Sequence, residues 1–435
     1  MTSYQKYLKA EKNINEGLIR FGLSIARPEG YVRSPKRRMD AMRSFLKSCG
    51  DPQTNLPAVH VAGTSGKGSV CAAIAGILKE AGLNVGLHIS PYLQSATEKI
   101  WINDKLISAK QFEDLVDWVM PIAQPLVHPD TPASIHGMAS VAIALEAFRR
   151  ANLDVIVFEA GCGARYDLTS FVDTKTSVIT NVGLDHIVSL GPEIEQIAWH
   201  KAGVAREGIP LVTGACGSAL DVIKKEATIV NAPLKLVPKT SSAFAHNRDI
   251  AVAASKEIAD HLGVKLTSKI VQNGLKRVRL PARSEEMPSK PGEPRVVLDG
   301  AHNAEKLTVA VAGALDEHTT GPKVALIGFL GAKANEALLE PLKGIFDLAV
   351  ATEPRVYGKT ACPVDTTMAL LKKTGINALA EPDPLKALKM SIDAAGPDGT
   401  VLIVGSFYLA GELRECWFTK KNVVLQQTSW PDNNV

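Results

Sequence analysis

A glycine-rich segment, HVAGTSGKGSV at residues 60–70, carries residue types that bind nucleotide phosphates. Its glycines allow backbone N–H groups to point at an anion, and Lys67 supplies a positive charge for the β and γ phosphates. Ser69 supplies a hydroxyl for a magnesium ion on those phosphates. The candidate nucleotide-binding residues of this loop are Gly63, Thr64, Ser65, Gly66, Lys67, Gly68 and Ser69.

The spacing of this segment departs from the usual phosphate loop. That pattern has a glycine five positions before the Gly-Lys pair and a hydroxyl residue directly after the lysine. Here Val61 and Gly68 occupy these two positions, and the hydroxyl of Ser69 comes one residue later. A plain glycine turn is the alternative, but AVHVAG before the loop and SVCAAIAGILKEAG after it predict a strand and a helix in the order that a nucleotide site requires.

Further oxygen-bearing side chains stand where two other predicted strands end. Ser90 is the last residue of NVGLHIS (84–90), and Glu159 lies near the end of LDVIVFEAG (153–161). In open α/β sheets, ligands bind at the carboxyl ends of the strands. Because magnesium prefers oxygen ligands and keeps several waters, we predict that Ser90 and Glu159 join Ser69 in a metal site beside the phosphates.

Short β-branched runs alternate with longer helical patterns, which predicts mostly parallel sheets covered by helices. Ser108 and Gln111 form a candidate capping box for one of these helices. The clearest boundary is the stretch at 279–295, which is rich in proline and charge. We therefore predict an α/β protein with an N-terminal P-loop ATPase domain over residues 1–279 and a smaller, Rossmann-like domain over residues 280–435.

Length and composition limit the classes of partner. The 435 residues exceed what one hydrophobic core normally organises. With 49 basic and 45 acidic residues the formal net charge is +4, too balanced for a general nucleic-acid binder. The six cysteines lie far apart, and no apolar run reaches the roughly 18 residues that span a bilayer. We expect a cytoplasmic monomer that binds neither nucleic acid nor membrane.

The loop resembles that of the Mur ligase superfamily and, within it, of the folylpolyglutamate synthase and dihydrofolate synthase family. In that family Ala-Gly-Thr-x-Gly-Lys-Gly-Ser is the normal form, so the shifted spacing is expected. The resemblance continues in order through residues 88–103, 158–170 and 181–214 and reaches LPARSE, LDGAHN and GSFYLAGELR in the second domain. It runs from about residue 40 to residue 415.

This resemblance implies an ATP-dependent amide ligase that joins glutamate to a folate or dihydropteroate carboxylate and releases ADP and phosphate. ATP and Mg²⁺ are the implied cofactors, with a second divalent ion and K⁺ left open. The family uses the histidine of LDH, here His186, at a metal, although a structural histidine is the alternative. Lys201 in WHKAG corresponds to a lysine that members often carry as a carbamate, and a salt-bridged lysine is equally compatible.

In the second domain the resemblance assigns nucleotide contacts to LDGAHN and to the linker before it. Arg283 is implied to reach the phosphates, and Asp299, His302 and Asn303 to help hold the nucleotide. A planar guanidinium suits the γ phosphate during transfer. A surface arginine and a loop-capping Asp-Asn pair are the alternative.

The residues imply a two-step reaction. A substrate carboxylate attacks the γ phosphate, helped by Lys67, Arg283 and magnesium, and gives an acyl phosphate. The amine of an amino acid then displaces phosphate through a tetrahedral intermediate. Lys67, Arg283, His186 and Lys201 are the candidate catalytic residues. Domain closure with a hinge near residues 279–295 is the expected means of excluding water.

The acceptor acid is predicted from the stretch GCGARYDLTS (161–170). Arg165 and Asp167 are the candidate substrate residues, and Asp167 corresponds to a position that contacts the pterin in related synthases. The residues around them differ from the common family sequence, so a Mur-type ligase acting on a different, non-folate acid is the alternative. A kinase would not need the second domain, and a non-catalytic protein would be expected to lose Lys67, Glu159 or His186.

Overall fold

The structure, a computed structural model, describes residues 1–20, 34–128, 131, 133–240, 242–315, 319–331, 336–356 and 360–432. The chain forms two compact units. The first comprises Met1–Tyr92, Ala96–Arg279 and Val424–Thr428, and the second comprises Leu93–Ser95, Leu280–Val423 and Ser429–Val435. Each unit has a mostly parallel sheet with helices, which confirms the predicted fold class.

The first unit is built on one sheet. In its described residues the strands are β1 (Pro57–Ala62), β2 (Val85–His88), β3 (Ile100–Ile102), β4 (Lys105–Leu106), β5 (Val155–Glu159), β6 (Asp173–Ile179), β7 (Leu211–Thr213) and β8 (Leu234–Leu236). Their order is β4-β3-β2-β5-β1-β6-β7-β8, and only the pairs β2–β3 and β3–β4 are antiparallel. Val61 pairs with Glu159 on one side and Val178 on the other, so the carboxyl ends of β1, β5 and β6 lie at one edge.

Helices cover this sheet because its central strands are apolar on both faces. The α-helices of the first unit, in the described residues, are α1 (Ser3–Asn15), α2 (Pro35–Ser48), α3 (Lys67–Glu80), α4 (Ala109–Ala123), α5 (Ile135–Ala151), α6 (Ile187–Leu190), α7 (Ile194–Ala202), α8 (Gly217–Ile229), α9 (Ala243–His261) and α10 (Ser268–Lys276). The capping box of α4 is confirmed, since Ser108 Oγ accepts from Gln111 N at 3.1 Å and Gln111 Oε1 accepts from Ser108 N at 2.8 Å.

The second unit has its own sheet. The described strands are β9 (Glu285–Glu286), β10 (Arg295–Leu298), β11 (Lys323–Ile327), β12 (Leu348–Ala351), β13 (Ala378–Ala380) and β14 (Thr400–Val404). Their order is β13-β12-β11-β14-β10-β9, with β9 antiparallel to β10. The described α-helices are α11 (Ala304–Ala314), α12 (Glu336–Leu339), α13 (Val364–Lys373), α14 (Pro384–Ala395), α15 (Phe407–Arg414) and α16 (Lys420–Gln426). The residues of α16 up to Val423 belong to the second unit, and those from Val424 belong to the first.

Alternate residues of the second sheet pack into different cores. Val297 and Leu402 belong to one apolar cluster, whereas Val296 and Val401 belong to another. Because successive side chains of a strand point to opposite faces, this alternation shows that both faces of the sheet are covered. Among the described residues, no helix has the length and apolar character needed to cross a membrane.

A buried arginine ties together remote segments of the second unit. Arg414, at the end of α15, is completely buried and donates from Nε and Nη2 to the carboxylate of Glu285 at 2.9 and 2.7 Å. It also donates to Gln94 Oε1 at 2.5 Å and to the backbone carbonyl of Ser429 at 2.6 Å. The Glu285 carboxylate also accepts from Trp430 Nε1 at 2.7 Å and from Ala282 N at 2.8 Å.

Candidate active site

The loop between β1 and α3 has a backbone that only glycine accommodates at two points. Gly63 has φ 151° and Gly66 has φ 76°. A Cβ atom at Gly63 would lie 1.8 Å from Thr180 Oγ1, and one at Gly66 would lie 2.5 Å from Asn247 Oδ1. The loop ends at Gly66, which is the N-cap of α3. At the N-terminus of this helix, the backbone N–H groups and the helix dipole favour an anion.

Residues that follow β6 hold this loop in place. Asn181 Oδ1 accepts from the backbone N–H groups of Thr64 at 3.2 Å and Ser65 at 2.8 Å, and Thr180 Oγ1 donates to the Ser65 carbonyl at 2.6 Å. Thr180 and Asn181 are not among the candidate residues predicted from the sequence. The sequence feature that could have indicated them is their position, since these two polar residues directly follow an apolar run in TSVITNVG (176–183).

Two predicted catalytic lysines meet at one backbone carbonyl. Lys67 Nζ donates to Gly63 O at 3.2 Å, and Lys201 Nζ donates to the same oxygen at 2.8 Å. Lys201 is only 2% exposed, although it comes from α7, far along the chain. Lys67 Nζ also lies 3.9 Å from Glu159 Oε1. The structure thus brings Lys67, Lys201 and Glu159 together beside the loop.

The predicted metal residues share one edge of the sheet. Glu159 is 5% exposed, and its Oε2 accepts from the backbone N–H of Ser90 at 2.8 Å. Ser69 lies in the first turn of α3. Within the described part of the chain, no group of three or more His, Cys, Asp or Glu side chains forms a metal site. Carboxylate and hydroxyl oxygens nevertheless fit magnesium, which completes its shell with phosphates and water.

His186 lies in the loop after β6, in a left-handed conformation with φ 53°. Its side chain is about half exposed, with Nε2 4.0 Å from Asp185 Oδ2. Its backbone N–H donates to Asp185 Oδ1 at 2.9 Å. Its role at a metal stays a prediction.

The two candidate substrate residues have different surroundings. Asp167 is buried and accepts from the backbone N–H groups of Gly161, Cys162 and Thr169 at 3.0 to 3.2 Å, so its carboxylate organises its own turn. The Arg165 guanidinium lies 4.0 Å from the centroid of the Trp199 ring and forms an ion pair with Glu226. Their contacts with a substrate stay predictions.

In the second unit, Asp299 is buried at the end of β10. It accepts from the backbone N–H groups of Ser284 at 2.7 Å and Ala301 at 2.8 Å. Burial raises the pKa of this carboxyl group, and nearby Arg283 opposes that rise. The Arg283 guanidinium lies 4.8 Å from the centroid of the Phe407 ring, and Nη1 donates to the Ala282 carbonyl at 3.0 Å.

His302 and Asn303 lie at the start of α11. His302 Nδ1 lies 2.8 Å from Gly300 O, and Lys306 Nζ donates to His302 Nε2 at 3.2 Å. Asn303 is the N-cap of α11 and accepts from Lys306 N at 2.9 Å. Asn303 therefore has the capping role that is the alternative to a nucleotide contact, and its nucleotide contact stays a prediction.

Comparisons with known proteins show the family to which this chain belongs. Residues 282–407 match the family model described as Mur ligase, glutamate ligase domain. Folylpolyglutamate synthase of Lacticaseibacillus casei is 30% identical over 411 residues, covering 86% of this chain and 92% of that protein. A probable bifunctional folylpolyglutamate synthase/dihydropteroate synthase of Haloferax volcanii is 29% identical over 417 residues and covers 87% of this chain. The chain spans only 48% of the length of the latter relative.

Solved structures of similar chains share the fold. The apo form of the L. casei enzyme has a TM-score of 0.74 and 27% identity, covering 93% of this chain and 99% of that chain. A Mycobacterium tuberculosis folylpolyglutamate synthase complexed with ADP has a TM-score of 0.82, covering 96% of this chain and 99% of that chain. At 24% identity, the second likeness supports the fold alone.

Proposed function

Because this chain belongs to the folylpolyglutamate synthase family, we propose that it is an ATP-dependent ligase that forms an amide between glutamate and the carboxylate of a folate or of dihydropteroate. ADP and phosphate are the other products. The observation that carries this proposal is the meeting of Lys67, Lys201 and Glu159 at the loop between β1 and α3. Two cations and a carboxylate beside a phosphate loop suit a reaction in which negative charge moves between phosphate and carboxylate oxygens.

ATP is proposed to bind with its phosphates against the loop. The N–H groups at the start of α3 and the ammonium of Lys67 face the β and γ phosphates. Asn181 fixes the loop backbone by accepting hydrogen bonds from Thr64 N and Ser65 N. This supports the assignment, because the N–H groups that follow at the start of α3 then need no rearrangement when the anion arrives. Arg283, Asp299, His302 and Asn303 are proposed to contribute nucleotide contacts from the second unit.

Ser69, Ser90 and Glu159, with His186, are proposed to hold Mg²⁺. When bound, the ion neutralises charge on the phosphate oxygens. Glu159 already holds the backbone at Ser90 through a 2.8 Å hydrogen bond, so the two candidate ligands are positioned together. A second cation is left as a further proposal.

The reaction is proposed in two balanced steps. An oxygen of the acceptor carboxylate forms a bond to the γ phosphorus, and the bond from that phosphorus to the oxygen it shares with the β phosphorus breaks, so ADP leaves. The amine nitrogen of glutamate then bonds to the acyl carbon, and phosphate leaves with its electron pair as the nitrogen loses a proton. Lys67, together with Lys201 in its ammonium form, is proposed to stabilise the charge that builds up on oxygen in both steps.

Lys201 is proposed to be open to carbamylation. Its burial beside the loop supports this proposal, because a carbamate would turn a buried cation into an anion that binds metal. The 2.8 Å contact from its Nζ to Gly63 O is equally natural for an ordinary ammonium. The ¹³C NMR spectrum of the protein at neutral pH with ¹³C-labelled bicarbonate distinguishes the two states. A carbamate resonance that disappears in Lys201→Ala supports the carbamate, and no such resonance in the wild type would exclude it.

One assay tests the proposed function. Purified protein is supplied with Mg-ATP, glutamate and, in turn, dihydropteroate, dihydrofolate and tetrahydrofolate, and ADP release is followed. We expect release that depends on both glutamate and at least one of these acceptors. If no folate stimulates release but another acid does, the chain is the non-folate ligase that the unusual GCGARYDLTS stretch leaves open.

A further inference from the structure

Arg165, one of the two candidate substrate residues, lies against the C-terminal end of α7. Its Nε and Nη2 donate to the backbone carbonyl of Trp199 at 3.2 and 3.1 Å. Its backbone N–H donates to the carbonyl of the next residue, His200, at 2.9 Å. A Cβ atom at Gly203, the C-cap of α7, would lie 2.3 Å from Arg165 Cβ, so the end of the helix packs directly on this residue.

The contacts of Arg165 satisfy carbonyls at the end of a helix, where partners within the helix run out. The last four carbonyls of an α-helix lack an intrahelical donor. In α7, the carbonyls of Lys201 and Ala202 accept from the backbone of the following residues, Val204 N and Ala205 N, each at 3.0 Å. Arg165 supplies the donors for the two carbonyls before them, and its positive charge is favourable at a helix C-terminus. One residue from outside the helix thus fixes the last turn of α7.

The guanidinium of Arg165 is itself held in place. It lies 4.0 Å from the centroid of the Trp199 ring and forms an ion pair with Glu226 of α8. The two side chains of this ion pair are only 24% and 15% exposed. A planar cation with one face on an aromatic ring and two nitrogens that donate within the protein is suited to holding a helix in a fixed place.

Lys201 lies in the turn of α7 that Arg165 fixes. The two carbonyls that Arg165 binds belong to the two residues directly before Lys201. Lys201 is 2% exposed, and its Nζ donates to Gly63 O at 2.8 Å. A shift of the last turn of α7 would therefore move the Lys201 side chain relative to the loop between β1 and α3.

We propose that Arg165 is a positioning residue that sets the place of Lys201 at this loop, and that it does not contact the acceptor acid. Glu226 assists by fixing the guanidinium. The inference applies to Lys201 as an ammonium and as a carbamate, because Arg165 fixes the backbone from which either form extends. It rests on the proposed function, since it concerns the reaction that Lys201 serves there.

Amide hydrogen exchange tests this inference without any catalytic turnover. Arg165→Met removes the charge and the side-chain donors. We expect faster exchange both in α7 and in residues 60–70, because a less restrained helix no longer holds the loop through Lys201. We expect Lys201→Met to speed exchange in residues 60–70 as well. Unchanged exchange there in Arg165→Met, or a change that Lys201→Met does not share, would overturn the inference.

A second variant keeps the test open if Arg165→Met does not fold. Glu226→Met removes only the ion-pair partner of Arg165 and leaves the donors to α7 in place. We expect the same two segments to exchange faster, by a smaller factor. Lys225→Met, at the neighbouring exposed position of α8, is the matched control and should exchange as the wild type does. Equal effects of Glu226→Met and Lys225→Met at residues 60–70 would overturn the inference.

A kinetic test separates a positioning residue from a substrate contact. With an acceptor identified by the ADP assay, we expect Arg165→Met to lower kcat about tenfold or more and to leave the KM for the acceptor within about twofold, because a misplaced catalytic group slows the chemical step. A raised acceptor KM with unchanged kcat would overturn the inference. If the wild type releases no ADP with any acceptor, the proposed function is refuted, and hydrogen exchange still decides the role of Arg165.

Discussion

At the scale of single residues, the carbonyl of Gly63 is where the two candidate catalytic lysines meet. Lys67 reaches it from the helix that the loop begins, and Lys201 reaches it from 138 residues along the chain. The motifs predict that both lysines belong to the site. That both donate to the Gly63 carbonyl depends on how α7 packs, which no local sequence pattern indicates. The hydrogen bond from Lys306 N to the Asn303 side chain joins residues only three positions apart. Such a local contact could be predicted from the sequence, as the alternative to a nucleotide contact.

Loss of the Lys67 charge should weaken nucleotide binding. We expect Lys67→Ala to raise the Kd for Mg-ATP by about 10- to 100-fold, because one charge-assisted contact to phosphate is removed. Calorimetric titration measures this. Lys79→Ala, in the last turn of the same helix, is the control and should bind as the wild type does. Unchanged affinity in Lys67→Ala would refute the loop assignment.

A buried histidine should make the first unit sensitive to acid. Burial lowers the pKa of His60 from 6.5 to about 3, so the unfolded chain takes up a proton that the folded chain does not. Its contribution to stability is therefore complete above about pH 6.5 and is lost as the pH falls towards 3, by about 1.4 kcal/mol per pH unit.

Denaturant unfolding at neutral pH and at about pH 5 checks this contribution. His60→Gln should reduce the loss of stability on acidification, whereas His261→Gln, at the exposed end of α9, should leave it unchanged. Equal acid sensitivity in both variants would contradict the assignment to His60.

At the scale of elements, the strand, loop and helix around residues 57–80 follow the sequence pattern closely. The apolar run, the glycines and the small-residue helix all act locally, which is why they were predictable. The hydrogen bonds that Thr180 and Asn181 make to this loop were not predictable, because they require β6 to lie beside β1. Strand order is set by tertiary packing, which the periodicity of one segment does not encode.

The loop lies so close to Thr180 that no side chain fits at Gly63. Gly63→Ala places a Cβ atom 1.8 Å from Thr180 Oγ1. We expect it to displace the loop and abolish measurable ATP binding. Gly82→Ala is the matched control, because Gly82 also has a positive φ, 91°, but has no atom within 4 Å of its Cβ position. Gly82→Ala should cost only about 1 kcal/mol of stability and retain binding. Retained ATP binding in Gly63→Ala would contradict the geometry of the loop.

At the scale of the whole molecule, the chain leaves each of the two units and returns to it twice. Residues 93–95 belong with the second unit and residues 424–428 with the first. The proline-rich stretch at 279–295 is a local composition signal and could be recognised in the sequence. Residues 93–95 and 424–428 have no such composition signal. Their place in the structure depends on contacts between residues remote in sequence, such as the hydrogen bond between Gln94 and Arg414.

The buried contacts of Arg414 should be essential to the second unit. We expect Arg414→Met to destabilise it by about 3–5 kcal/mol, because Glu285 would keep a buried charge without its cation. Arg355→Met is the control, since its ion pairs with Asp383 and Glu412 are exposed on the arginine side and should contribute about 1 kcal/mol or less. Denaturant unfolding monitored by tryptophan fluorescence measures both. A loss in Arg414→Met no larger than that in Arg355→Met would contradict this account.

If the protein activates a carboxylate with ATP before it forms an amide, one oxygen atom of that carboxylate must pass to the released phosphate. An acceptor identified by the ADP assay is labelled with oxygen-18 in its reacting carboxylate and is incubated with Mg-ATP and glutamate. We expect one labelled oxygen in the released phosphate, because the acyl phosphate breaks between carbon and that oxygen. Amide product accompanied by unlabelled phosphate would contradict it.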